Sequence, residues 1–193
     1  VAVKAAQFSF SRLAGADPTL GVEMASTGEV GCLGDDLGEA LLKALLATGF
    51  RVPKKGVLLS LGPVVDKYRF EREALILRAR GLTLYATPGT ADVLRSQGIE
   101  CVTAYKDSDE RSPSAVELLK QGAIDLVINI PRSYDMQGRP DGYRIRRRAV
   151  DLNVPLITNF QLARAVVDAL DSERPVELKP LDWSAYLARN ARS

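Results

Sequence analysis

The sequence predicts a three-layer α/β/α sandwich around a five-stranded parallel sheet. From Gly56 onward, short apolar runs alternate five times with longer amphipathic stretches of helical period. The run at 124–130 is apolar almost throughout, as expected of a central parallel strand that is covered on both faces. Strand followed by helix, repeated five times, requires right-handed crossovers that place helices on both sides of the sheet.

The first fifty residues follow a different pattern, which predicts one strand, one loop and one helix. Alternation around Phe8 and Phe10 is typical of a short strand, and the glycine-spaced stretch at 23–34 is typical of a loop. Asp35 or Asp36 then opens an amphipathic helix. These three elements cannot enclose a hydrophobic core by themselves.

Length and composition are consistent with one domain and an attached piece of another. The chain has 193 residues, of which 46% are hydrophobic. We predict that residues 1–50 are the tail of a preceding domain with its linker, and that residues 51–193 form the main domain. Two cysteines without a disulfide pattern favour a reducing compartment, so we expect a cytoplasmic protein. No apolar run is long enough to cross a bilayer, and we expect no membrane partner.

Each element of the main domain is recognised by its pattern and its ends. Gly81 and Gly122 are expected C-terminal caps, and Ser112 is expected to cap the third helix, with Pro113 at its first position. The predicted strands are 57–61, 82–87, 99–105, 124–130 and 154–158. The predicted helices are 66–80, 91–97, 113–121, 142–153 and 160–170, followed by a terminal helix pinned by Trp183.

Four arginines lie within the eight residues 143–150, in a stretch that predicts a basic amphipathic helix. Ile145, Ala149 and Leu152 form its expected buried stripe, which leaves the arginines outside the stripe or at its flanks. No aromatic residues alternate with the arginines, and 26 basic residues are nearly balanced by 24 acidic ones. A solvated or interdomain face is therefore favoured over a nucleic-acid site.

The absence of histidine excludes several classes of site. A Ser-His-Asp triad, a Cys-His pair and a histidine-ligated zinc site are all impossible. Cys32 and Cys101 show no metal-ligand spacing, and the carboxylates Asp125, Asp135 and Asp141 show no paired acid–base spacing. We therefore predict neither a catalytic residue nor a metal site.

Polar residues follow the predicted strands at the edge where ligands of open parallel sheets bind. Cationic side chains, hydroxyls, an amide and a helix amino terminus converge there, and all of them donate hydrogen bonds to anions. The predicted ligand is therefore small, negatively charged and rich in oxygen. The predicted site consists of Ser60, Lys67, Thr87, Gly89, Thr90, Lys106, Asn129 and Arg132.

Single members of this set have simpler interpretations. Thr90 alone is more typical of a helix cap, and Lys67 alone is more typical of a solvated lysine at a helix start. Asn129 ends an apolar strand, where a buried amide needs a hydrogen-bond partner. The convergence of the group, rather than any one member, favours a ligand site.

Several segments occur together in an order that is typical of one enzyme family. "FSFSRLAGADPTLG" and "EMASTGEV" resemble the end of the second ATP-grasp half of the carbamoyl phosphate synthetase large chain. "LYATPGTADVL", "IDLVINIP", "YRIRRRAVD" and "PLITNFQLA" resemble its C-terminal regulatory domain, which has the Rossmann-like fold of methylglyoxal synthase. The resemblance covers nearly the whole chain.

The resemblance implies an allosteric domain that is not itself catalytic. The intact family enzyme makes carbamoyl phosphate from bicarbonate and ammonia, using ATP and Mg²⁺; whether it also uses K⁺ is left open. Its two ATP-dependent sites are not expected in this chain, and neither are these cofactors. The implied partners are the rest of the large chain and a glutaminase small subunit. The implied pathways are arginine and pyrimidine biosynthesis. Whether copies of the protein associate through this domain is left open. The residues that match the family's effector pocket are Ser60, Lys67, Thr87, Thr90, Lys106 and Asn129.

The resemblance leaves two classes of effector open. The phosphate of a nucleotide such as UMP or IMP suits Lys67, and acetylglutamate-responsive members carry tryptophan at the position of Lys106 and asparagines near Arg132 and Gly142. Against this, "INIPRSYD" and "ITNFQLA" are closer to the acetylglutamate-responsive type, and Pro131 replaces a hydroxyl residue of the nucleotide pattern. We expect a nucleotide, with N-acetylglutamate as the alternative.

Two further functions remain as alternatives to an effector domain. Methylglyoxal synthase needs a catalytic aspartate in a glycine-rich acidic loop and a supporting histidine, whereas the corresponding loop here reads "PRSYDMQGRPD" and the chain has no histidine. That enzyme is therefore disfavoured. A structural interaction domain with a vestigial pocket, using "GRPDG" and the arginine-rich helix, is the other alternative.

Overall fold

The computed structural model describes residues 1–20, 26–106, 109–131, 142–171 and 182–190. The strands within these ranges are β1 (Ala2–Gln7), β2 (Gly28–Leu33), β3 (Gly56–Leu61), β4 (Thr83–Ala86), β5 (Val102–Thr103), β6 (Leu126–Ile130) and β7 (Leu156–Ile157). The helices are α1 (Leu37–Ala47), α2 (Val64–Arg69), α3 (Glu71–Ala79), α4 (Pro88–Ser96), α5 (Ala115–Lys120), α6 (Tyr143–Asp151), α7 (Phe160–Asp171) and α8 (Trp183–Asn190). None of these helices combines the length and apolar character needed to cross a bilayer.

Five strands form one parallel sheet in the order β5-β4-β3-β6-β7. Every residue of the central strands β3 and β6 is buried, which explains why both read as continuous apolar runs. One face of the sheet packs against α1, α3, α4 and α7, and the other face packs against α5 and α6. The predicted three-layer sandwich is confirmed.

The N-terminal residues form an antiparallel pair of strands, β1 and β2, and the helix α1. The predicted helix is confirmed: Asp36 caps it by accepting a hydrogen bond from the Glu39 N–H at 2.9 Å. The loop predicted at 23–34 is wrong over Gly28–Leu33, which form β2. The backbone of β2 pairs with β1 although the strand contains two glycines. The predicted strand lies earlier, at 2–7, and Phe10 begins a short 3₁₀ helix.

Helix α1 joins the core of the main sheet rather than standing apart from it. Its buried Leu41 and Leu42 belong to the same hydrophobic cluster as residues of β3 and α7. The division of the chain into 1–50 and 51–193 stays a prediction.

Three local predictions in the main domain are wrong. The single helix at 66–80 is divided into α2 and α3 at Phe70, whose ring enters the core while α2 remains outside it. Ser114, not Ser112, caps α5, because its hydroxyl accepts from the Glu117 N–H while the Glu117 carboxylate accepts from the Ser114 N–H. Trp183 is 66% exposed, so it does not pin the terminal helix.

Candidate anion-binding site

A cavity of about 780 Å³ opens where β3, β4 and β6 end. This volume is typical of sites for small molecules. Arg132 lies outside the described residues, and the other seven predicted site residues all line this cavity. They are Ser60, Lys67, Thr87, Gly89, Thr90, Lys106 and Asn129.

Strand register explains how two distant polar residues meet. Ser60 of β3 pairs with Asn129 of the neighbouring strand β6, so both lie at the same height near the carboxyl end of the sheet. Both side chains are almost fully buried, with 9% and 1% exposure respectively. The parallel sheet therefore places a hydroxyl and an amide side by side in the lining of the cavity.

The first turn of α4 and the Lys67 ammonium form a positive region. Thr87 is the N-cap without a side-chain capping bond, Pro88 follows at the first helical position, and Gly89 is second. A Cβ atom on Gly89 would lie 3.1 Å from the Lys67 Nζ, so the ammonium lies directly beside this turn. The N–H of Gly89 has no acceptor within the helix, and the helix dipole is positive at this end. Both features favour an anion.

Thr90 attaches α4 to the end of β3. Its hydroxyl accepts from the Leu61 N–H at 3.1 Å and donates to the Leu61 carbonyl at 3.3 Å. The Thr87 hydroxyl lies 3.4 Å from the Thr90 hydroxyl. The interpretation of Thr90 as a helix cap is wrong, because Thr87 occupies the N-cap position.

The cavity also has a charged rim that the prediction omitted. Arg111 donates to both carboxylate oxygens of Asp109, at 2.9 and 2.6 Å, and lies 4.3 Å above the ring of Tyr105. The hydrogen bonds from Arg111 lower the pKa of Asp109 to about 2, so Asp109 is ionised at neutral pH. Glu110 lines the cavity as well. The signal was available: the charged run at 106–111 directly follows a predicted strand.

Buried arginines of α6 connect the cavity to the N-terminal residues. Arg146 is 0% exposed; its Nη1 donates to Asn129 Oδ1 at 2.6 Å, and its Nε and Nη2 donate to the Asp17 carboxylate at 2.8 and 2.6 Å. Arg147 donates from one nitrogen to the carbonyls of Phe10, Leu13 and Ala16. These acceptors let the two guanidinium groups lie inside the fold.

The prediction for this helix is therefore wrong in part. Ile145 and Ala149 are buried as expected, whereas Leu152 is 39% exposed and Arg146 and Arg147 are buried. Sequence periodicity could not show this, because the acceptors come from a segment more than a hundred residues earlier in the chain.

The Asp17–Arg146 pair should make stability depend on pH. Burial opposes ionisation of Asp17, but hydrogen bonds from Arg146, its charge and the contacts of Thr19 outweigh burial and lower the pKa of Asp17 below its ordinary 3.8. The stabilisation is then complete above the unfolded-state pKa near 3.8 and is lost as the pH falls through the lower folded-state value.

We expect the difference in unfolding free energy between the wild-type chain and Asp17→Asn to be constant near neutral pH and to shrink below pH about 4. Urea denaturation at a series of pH values measures it. A difference that stays constant down to pH about 2 would contradict the assignment of this titration to Asp17.

In the parts of the chain that the structure describes, no group of three or more acidic or cysteine side chains could hold a metal ion.

Comparisons with known proteins identify the family. Residues 72–158 match the MGS-like domain family. Over 192 residues the chain is 46% identical to the multifunctional protein pyr-3 of Neurospora crassa and 45% identical to the multifunctional protein URA2 of Saccharomyces cerevisiae. The two matches cover 95% and 94% of this chain, respectively. It is 41% identical over 185 residues, 94% of this chain, to the mitochondrial carbamoyl-phosphate synthase [ammonia] of Homo sapiens.

The chain spans only 10%, 9% and 12% of the lengths of these three relatives. It therefore corresponds to one segment of each much longer protein. Residues 72–158 of the chain belong to the MGS-like domain family, and the chain as a whole is similar to the corresponding segment of a carbamoyl-phosphate synthase.

Proposed function

We propose that this chain is the regulatory, effector-binding part of a glutamine-hydrolysing carbamoyl phosphate synthase and has no catalytic site of its own. The cavity in which Lys67 lies beside the first turn of α4 carries this proposal. A lysine ammonium and a helix amino terminus that face the same space suit an anionic ligand. The family assignment supports a regulatory role for the domain.

The rest of the proposed assembly depends on the relatives and on the resemblance. The names pyr-3 and URA2 support a place in pyrimidine biosynthesis, and a place in arginine biosynthesis rests on the resemblance alone. In this proposal residues 1–50 are the end of the preceding ATP-grasp domain. ATP, Mg²⁺ and K⁺ would act elsewhere in the parent chain, and a glutaminase would supply its ammonia.

The charges of the rim favour a nucleotide such as UMP or IMP over N-acetylglutamate. Among the described residues, the lining contains three basic side chains but also the carboxylates of Asp109 and Glu110. N-acetylglutamate carries two carboxylates but only one N–H donor, so it offers the rim carboxylates a single hydrogen-bond donor. A nucleotide places its phosphate near Lys67 and offers ribose hydroxyls as donors to the carboxylates.

Replacement of Lys67 tests the phosphate position. We expect Lys67→Glu to weaken UMP binding by about 10- to 100-fold, because one charge-assisted hydrogen bond is lost and a like charge faces the phosphate. Calorimetric titration of the 193-residue chain with UMP, IMP and N-acetylglutamate in separate runs measures the effect.

Lys120→Glu is the matched control, because Lys120 is an exposed lysine of α5 that does not line the cavity. It should leave the affinity unchanged. Equal weakening by both variants would show a general charge effect and contradict the site. Binding of N-acetylglutamate alone would replace the nucleotide with the alternative effector, and binding of none of the three would favour a structural interaction domain.

A further inference from the structure

Asn129 lines the cavity, and its amide oxygen is hydrogen-bonded within the fold. Its Oδ1 accepts a hydrogen bond from Arg146 Nη1 at 2.6 Å. A guanidinium group has donors only, so the amide oxygen must face Arg146. The Nδ2 group, which carries both amide hydrogens, is then the donor that Asn129 retains for a ligand.

Arg146 is in turn held by the N-terminal segment, residues 1–20. Asp17 receives two hydrogen bonds from the guanidinium and is itself oriented by the Thr19 N–H and hydroxyl, at 3.0 and 2.9 Å. The Arg146 side chain is 0% exposed and that of Asp17 is 17% exposed. A bidentate pair of this kind fixes the plane of the guanidinium as well as its position.

Crowding at Gly142 restricts the amide further. A Cβ atom on Gly142 would lie 2.6 Å from Asn129 Nδ2 and 3.2 Å from Arg146 Nη1, so the Gly142 backbone lies against this contact. A half-turn of the amide would bring the N–H groups of Asn129 against those of Arg146. The amide therefore has one satisfied orientation.

We propose that Arg146 is a positioning residue of the cavity: it keeps the amide hydrogens of Asn129 available to the ligand, and Asp17 keeps Arg146 in place. The site then selects an accepting oxygen at Asn129, such as one of a phosphate, a carboxylate or a carbonyl group. Because Asp17 belongs to the N-terminal segment, ligand affinity and the docking of that segment are linked, and the linkage is reciprocal. This inference rests on the proposed ligand-binding function of the cavity.

Asp17→Asn tests the proposal, because it removes the charge that holds Arg146 and keeps the shape of the side chain. We expect this variant to bind UMP about ten-fold more weakly in calorimetry, an effect within the usual range of coupling between sites. Tyr143→Phe is the control: it removes a 2.7 Å hydrogen bond from α6 to the Gly15 carbonyl of the same segment, but leaves Asp17 and Arg146 intact. It should bind UMP within about two-fold of the wild-type chain.

A second comparison separates positioning from general loosening. In an Asn129→Ala background, the further change Asp17→Asn should alter the UMP affinity by less than about two-fold, because its effect passes through the missing amide. A full second ten-fold loss would overturn the proposal. Equal weakening by Asp17→Asn and Tyr143→Phe would overturn it too.

A ligand-free measurement keeps this proposal distinct from the proposed function. The side-chain NH₂ signals that vanish from the ¹H–¹⁵N spectrum in Asn129→Ala belong to Asn129. They should shift in Asp17→Asn and stay in place in Tyr143→Phe; unmoved signals in Asp17→Asn overturn the proposal. Shifted signals in a chain that binds none of UMP, IMP and N-acetylglutamate would support the positioning contact and reject the proposed function.

Arg146→Lys supplies the same test if Asp17→Asn does not fold. A lysine ammonium keeps the positive charge but lacks the planar fork that reaches Asp17 and Asn129 together. The Asn129 signals should therefore shift in this variant as well, and unchanged signals would overturn the proposal.

Discussion

Asp17→Ala is expected to lower the free energy of unfolding by about 3–5 kcal/mol, because it removes the carboxylate that accepts two hydrogen bonds from a buried guanidinium. The Arg146 side chain is 0% exposed, and two of its three nitrogens donate to Asp17. The third nitrogen, Nη1, donates to Asn129, which is neutral. Urea denaturation at pH 7, followed by circular dichroism, measures the loss without the screening that an ionic denaturant would add.

Glu29→Ala is the matched control for this experiment. Glu29 also lies among the first fifty residues and pairs with a lysine, but the side chains of Lys4 and Glu29 are 69% and 59% exposed. Its removal should cost less than about 1 kcal/mol, as is usual for exposed ion pairs. If the two variants lost similar amounts, burial of Arg146 would not be what makes the Asp17 contact strong.

Gly142→Ala is expected to destabilise the chain by about 2–5 kcal/mol and to weaken UMP binding. Gly142 has a φ of +81°, a conformation that L-residues adopt only with strain. An added Cβ would also lie 2.6 Å from Asn129 Nδ2, so the amide would have to move. Thermal or urea unfolding gives the first effect, and calorimetry gives the second.

Gly81→Ala separates strain from crowding. Gly81 has nearly the same φ, +78°, but an added Cβ would meet no atom within 4 Å. It should lose only the strain energy, about 1–2 kcal/mol, and retain its UMP affinity. Equal losses in the two variants would mean that Asn129 yields easily, which would argue against a fixed amide.

Most of the fold could be predicted because its signals are local. The continuous apolar pattern of β6 follows from burial on both faces, and helix ends such as Gly81 follow from backbone conformation. The strand β2 was missed because its stability comes from pairing with β1, not from its glycine-containing sequence. The break at Phe70 was missed because the helical period of the chain continues through it.

The site was predictable as far as topology determines it. Parallel strands bring their carboxyl ends to one edge, which is why Ser60 and Asn129 could be grouped from sequence alone. The Asp17–Arg146 contact could not be predicted, because it joins residues 129 positions apart and each alone resembles a solvated charge. Only the burial of Arg146 and its two hydrogen bonds to Asp17 show what the pair does.

Leu41 and Leu42 restrict the rotation of the N-terminal residues 1–50 relative to the main sheet. Both leucines of α1 are inserted into the cluster that includes α7, with 8% and 2% exposure. Exposing both to water would cost about 3–6 kcal/mol, which would keep a hinged-open population below about one per cent. A signal that leaves the cavity would therefore travel through small shifts in side chains and connecting loops, such as those at Asn129, rather than through a wide rotation at residues 51–56.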